Sequence, residues 1–134
     1  MKKNYSRSIL LVAVISAFCY LLPACNVSTA NLSDVKLCTS LSSGVCSGDN
    51  TTFHATDAVI YCSANLKNAP SGTKVTFEWK HGSESMGKAD VETSSGTVSS
   101  NFTTNGAVEP GKYSVTVKIN TDNATPVTKE FTIE

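Results

Sequence analysis

Arginine is almost missing from this chain. Arg7 is the single one among 134 residues, and no run of lysines takes its place. Without a basic stripe or an amphipathic basic helix, a nucleic-acid role has no electrostatic footing. Histidine is scarce too, at two residues, His54 and His81. Neither stands at a paired ligand spacing with the other or with a cysteine, so no metal site and no cofactor is expected. Serines surround His81 in HGSES (81–85), yet the G-x-S-x-G elbow of a serine hydrolase is absent. Glu78, Glu84, Asp90 and Glu92 fall on outward strand positions or turns, where solvation explains them. No catalytic residue is nominated, and both histidines are assigned to the surface. The chain also lacks an apolar run of the roughly 20 residues needed to span a bilayer as a helix.

What is present begins at the amino terminus. Lys2, Lys3 and Arg7 precede a 14-residue apolar stretch, 9–22, broken only by Ser16, Cys19 and Tyr20. Charge followed by a short hydrophobic run is the pattern of an export signal. Leu22, Pro23, Ala24 and Cys25 then resemble the lipobox of bacterial lipoproteins. That resemblance implies cleavage before Cys25 and a lipid on its sulfur, which would hold the domain on a bilayer without spanning it. Asn26 in place of an aspartate implies, on the same resemblance, an outer-membrane address. Cleavage after Ala30, with small residues at Ser28 and Ala30, is the alternative; it would release a soluble protein starting at Asn31. Loss of Lys2, Lys3 and Arg7 leaves eight basic against eleven acidic side chains, a charge of −3. The expected organisation is a signal peptide (1–24), a lipidated cysteine with a flexible tether (25–33) and one domain (34–134).

Beyond the tether the sequence alternates with period two. In DAVIYCSANL (57–66), Ile60, Cys62, Ala64 and Leu66 share one face; in TKVTFEWK (73–80), Val75, Phe77 and Trp79 do. KYSVTVKI (112–119) turns Tyr113, Val115, Val117 and Ile119 inward, and a last strand ends with Phe131 and Ile133. Shorter candidates are 34–38, 89–91 and 97–104. Turn signals at 68–72, 81–85, 94–96, 109–111 and 121–126 punctuate them. About seven strands in about 100 residues, with no helical period, predict an all-β antiparallel sandwich.

EPGKYSV (109–115), Trp79 on the third long strand and Cys62 on the strand before it resemble immunoglobulin-like and fibronectin type III-like domains, including those of bacterial exported lipoproteins. The resemblance makes Trp79, Cys62, Tyr113 and Val115 core residues. Val115 stands where such domains place the second core cysteine, so their inter-sheet disulfide is not available. Once Cys19 leaves with the signal and Cys25 carries lipid, Cys38, Cys46 and Cys62 remain. Export favours oxidation. The short spacer TSLSSGV favours Cys38 with Cys46, leaving Cys62 as a buried free thiol, with Cys46–Cys62 as the rival pairing. The functional expectation is a non-enzymatic, lipid-anchored envelope or surface module, binding a protein partner as a subunit of a complex, appendage or surface layer. The alternative is capture of a ligand such as a carbohydrate by loops 81–86 and 105–109.

Overall fold

Alternation becomes architecture in the computed structural model, which describes residues 29–104, 108–121 and 124–134. Ten strands follow in order: β1 (Asn31–Cys38), β2 (Leu41–Ser42), β3 (Val45–Cys46), β4 (Thr52–Phe53), β5 (Val59–Lys67), β6 (Thr73–His81), β7 (Glu84–Thr93), β8 (Gly96–Thr103), β9 (Gly111–Ile119) and β10 (Val127–Ile133). Seven of them are long. They form a three-stranded sheet, β1-β5-β8, and a five-stranded sheet, β4-β10-β9-β6-β7, with β2 and β3 as a separate small hairpin. The long neighbours all pair antiparallel; only β4 runs parallel, beside the end of β10.

The core lies between the two sheets. From the three-stranded side come Leu37, Ile60, Cys62, Ala64, Leu66 and Val98; from the other come Val75, Phe77, Trp79, Val115, Val117 and Ile119, all buried. These are the positions that alternation assigns inward, because successive side chains on a strand point to opposite faces. Full burial of each large apolar side chain contributes about 1.5–3 kcal/mol, and these residues account for most of what opposes chain entropy. An aromatic cluster closes one end: Trp79 stacks on Phe102 with centroids 5.8 Å apart, and Phe131 meets Trp79, Phe53 and Tyr113 at 6.1, 5.5 and 5.6 Å.

The register orients the molecule end to end. Asn31 at the start of β1 stands opposite Lys67, and Gly96 lies opposite Leu66, so the turns after β5 and before β8 share the end where the domain begins. The turn between β6 and β7 lies at the other end, where His81 pairs with Tyr113 and Glu84.

Three differences from the sequence reading have physical causes. Residues 31–33, assigned to the tether, belong to β1, where backbone pairing with Lys67, Leu66 and Asn65 orders a stretch whose polar side chains gave no period. The strand expected at 89–91 is the middle of the ten-residue β7, and Glu84 and Ser85 belong to it rather than to the turn. Its alternation is hidden because the strand buries little: Val91 and Ala89 are half-buried and most others exposed. The tether's first residues, Cys25 and the leader lie outside the described residues.

The cysteines divide as the short spacer suggests. Cys38 and Cys46 form a disulfide, and Cys62 is free and fully buried, so the rival pairing is excluded. Burial pushes the Cys62 thiol up to about 12, which keeps it a neutral, inert member of the core.

Candidate functional site

Two regions present chemistry to the outside. The first is the end that carries the β6–β7 turn. Tyr113, the third residue of β9, turns inward; its hydroxyl donates to the carbonyl of Glu109 at 2.6 Å, clamping the connection that enters the strand. Burial, followed by the nearby Glu109 carboxylate, raises the phenol above its ordinary range, so it stays a donor at neutral pH. His81 was expected at the surface. It instead lies half-buried with its ring flat against Tyr113, centroids 4.2 Å apart and planes 6° from parallel. Gly82, at φ +58°, makes the turn that follows, and its N–H donates to the Lys112 carbonyl at 3.0 Å.

Gly111 completes this arrangement. A Cβ there would sit 2.7 Å from His81 Nε2, and the residue's φ of +155° is one that L side chains rarely adopt. Gly111→Ala is therefore expected to destabilise the domain by about 1–3 kcal/mol. Removing the histidine ring in a Gly111→Ala/His81→Ala double variant should recover the steric part. Chemical denaturation of the four proteins in this cycle measures that coupling; strictly additive losses would show that the ring does not confine Gly111.

Beside the clamp, Thr51, Thr52, Lys112, Ser114, Glu130 and Thr132 line an open groove of about 430 Å³. Of the loops expected from sequence to capture a ligand, His81 and Glu109 both meet Tyr113, and Gly82 is bonded to Lys112. Residues 105–107 fall outside the described residues. Among the described residues no cluster of three or more His, Cys, Asp or Glu is arranged to hold a metal.

On the outer face of the three-stranded sheet, the disulfide hairpin lies over its central strand, β5. The Cys46 N–H donates to Ser63 Oγ at 2.9 Å, and Ser63 is fully buried on a face that would otherwise meet water. Asp49, three residues beyond Cys46, accepts from the Leu37 N–H at 3.0 Å and pairs with Lys129. Partial burial opposes its ionisation, but the Lys129 and Leu37 hydrogen bonds outweigh that and hold its carboxyl below the usual range.

The second region is β7. It is the last strand of the five-stranded sheet and pairs only with β6, so its other side presents backbone N–H and C=O groups. A bulge between Trp79 and Lys80 places Met86 outside the register. Met86 is 43% exposed and is the exposed large hydrophobic side chain among the described residues. From Gly87 to the end of the strand the pairing with β6 is regular. Along that stretch Lys88, Asp90 and Glu92 point away from the core. Lys88 lies 3.4 Å from Glu78, and Asp90 accepts from Thr76 Oγ1 at 2.6 Å. Such exposed contacts contribute little energy, leaving these charges available. Sequence reasoning missed this edge; the alternation of Lys88, Asp90 and Glu92 with Ala89 and Val91 was its only signal.

No protein-family model matches the sequence, and no curated protein does. Solved structures do. An immunoglobulin-like protein from Pseudomonas aeruginosa superposes with a TM-score of 0.54 at 12% identity, over 78% of this chain and 96% of that one. The fold is immunoglobulin-like. The soluble domain of PmoD from a Methylocystis species gives a TM-score of 0.50 at 10% identity, over 77% and 90% of the two chains. A β-glucosidase from Erythrobacter marinus gives 0.51 at 12% identity; it shares 79% of this chain but only 15% of its own length. That last likeness covers a β domain within a larger enzyme and brings no activity to this immunoglobulin-like domain. In such domains a tyrosine near the start of the sixth strand bonds back to the chain upstream, which is what Tyr113 does with Glu109. Cys62, Trp79, Tyr113 and Val115 are all buried in the core, as the resemblance implied.

Proposed function

We propose that this protein is a non-enzymatic module of the bacterial envelope, held on the outer membrane by lipid at Cys25 and binding a protein partner through the edge of β7. The observation that carries the reading is that edge: ten residues of strand, paired on one side, bearing an exposed methionine and, along its regular stretch, three outward charges. An extended segment of a partner docks to such an edge by main-chain hydrogen bonds, with side chains supplying selectivity. The leader, the lipobox-like LLPAC at 21–25 and the −3 charge of the processed chain support export and anchoring.

Two measurements test it on the full chain expressed in a Gram-negative host. Intact mass of the membrane-extracted protein should show a chain beginning at Cys25 and carrying acyl groups; Cys25→Ser should lose them and leave the membrane fraction. A chain beginning at Asn31 without lipid would overturn the anchoring. A photoreactive residue replacing Met86 should give a protein adduct in cells, and the same residue replacing Thr128 on the outward face of β10 should not. Equal yields from both, or none from Met86, would overturn the binding edge. Ligand capture is a second reading, favoured by the polar groove beside Lys112 and Glu130; glycan binding lost in a Lys112→Ala/Glu130→Ala variant would support it instead.

A further inference from the structure

The β7 edge is complementary to itself. When two copies of one strand pair antiparallel about a two-fold axis, residue numbers facing one another across the pair have a constant sum, so each register is defined by the residue on the axis. Five registers, with residues 88 to 92 on the axis, keep at least three residues of the regular part of β7 paired, and charge separates them. With Glu92 on the axis, two glutamates face each other. With Lys88 on the axis, two lysines face each other. With Asp90 on the axis, two aspartates do, although each Lys88 then meets a Glu92. With Val91 on the axis, Asp90 and Glu92 are opposed twice. With Ala89 on the axis, Lys88 faces Asp90 of the partner subunit, Asp90 faces Lys88 of the partner subunit, and no like charges meet. Opposite charges directly across a strand pair are favourable and like charges unfavourable.

We propose that the β7 edge docks a second copy of this protein, antiparallel, with Ala89 on the two-fold axis. The two five-stranded sheets then join into one of ten strands. Gly87 faces Val91 of the partner subunit, where the absent side chain leaves room. Met86, in the bulge just past the regular stretch, comes near the Glu92 end of the partner subunit's strand. Lys88, already 3.4 Å from Glu78 of its own chain, gains a second carboxylate. The bulge at Met86 and the charges themselves suppress other registers and unrelated strands, as edge strands commonly require. This proposal rests on the reading of β7 as a binding edge and names the partner.

Charge exchange tests it on the full-length, detergent-extracted protein, at a detergent excess that leaves most micelles empty. Sedimentation velocity should show a dimer for the natural chain. Lys88→Glu, and separately Asp90→Lys, turns two attractive cross-strand pairs into two repulsive ones and should weaken dimerisation about tenfold or more. Lys88→Glu/Asp90→Lys restores opposite charges in this register and should bring the dimer back. Because a lysine at position 90 would also face Glu92 with Val91 on the axis, both proteins that carry Asp90→Lys also carry Glu92→Gln, which closes that register. Circular dichroism checks that all four proteins keep their strand content; the restored double variant is the internal control against misfolding. A monomeric natural chain, dimers unaffected by either single exchange, or a double variant as weak as the singles would overturn the proposal. The wider reading fails separately. A photoreactive residue at position 86, outside the charge pairs, that captures a different protein keeps β7 as a binding edge but removes self-pairing. No capture at all removes both.

Discussion

Replacing Phe77 with alanine is expected to lower the free energy of unfolding by about 3–5 kcal/mol. Phe77 is fully buried at the centre of β6, between Ala89 on β7 and Val117 on β9, and belongs to the cluster that both sheets share. The backbone around it is fixed by pairing on both sides of its strand. The sheet is therefore poorly placed to collapse into the space, and both the lost transfer energy and the cavity contribute. Urea unfolding followed by Trp79 fluorescence should show a lower midpoint with an unchanged slope. Thr116→Ala, outward on β9 and bonded to Thr128 at 2.9 Å, should cost under about 1 kcal/mol in the same assay. A Phe77→Ala loss as small as that of Thr116→Ala would mean that the two sheets do not close on each other as described.

Removing the disulfide comes second. In the chain-entropy relation a bridge closing eight residues, the Cys38 to Cys46 separation, contributes about 2.5 kcal/mol by restricting the unfolded chain. The Cys38→Ser/Cys46→Ser variant should lose about that much, and dithiothreitol should reproduce the loss in the natural protein. Both cysteines are changed so that neither is left to pair with the Cys62 thiol when the chain unfolds. The damage should be local as well: the hairpin holds its backbone bond to Ser63, and hydrogen exchange should accelerate at Cys46 and the end of β1 while β6 and β9 keep their protection. Uniform acceleration across all strands would show that the hairpin is part of the global unit of unfolding.

The sandwich was legible where a strand has one wet and one dry face. β5, β6, β9 and β10 each announce themselves by alternation, and Tyr113 and Trp79 sit where the turn and strand chemistry puts them. The illegible parts are those held by backbone rather than side-chain pattern. β1 begins among asparagine and serine because β5 supplies hydrogen bonds, and β4 is two residues placed by the end of β10. β7 was visible only at its middle because an edge strand has little to bury. His81 was misread for a related reason: a histidine in a turn looks solvated until the turn folds its ring onto Tyr113.

The early start of β1 decides how a lipid-bearing copy stands. Five residues lie between Cys25 and Asn31, a leash of six steps and at most about 20 Å. A single copy would stand upright on the bilayer, with the turns at 68–72 and 94–95 toward the headgroups. An antiparallel pair sends its two leashes off opposite ends, and β7 alone, at ten residues, is about 33 Å long. Both lipids then enter one leaflet only when the two-fold axis points along the membrane normal and the strands lie along the surface. Pairing would tip the domain from a post into a raft, turning one broad sheet face toward the bilayer and the other away from it.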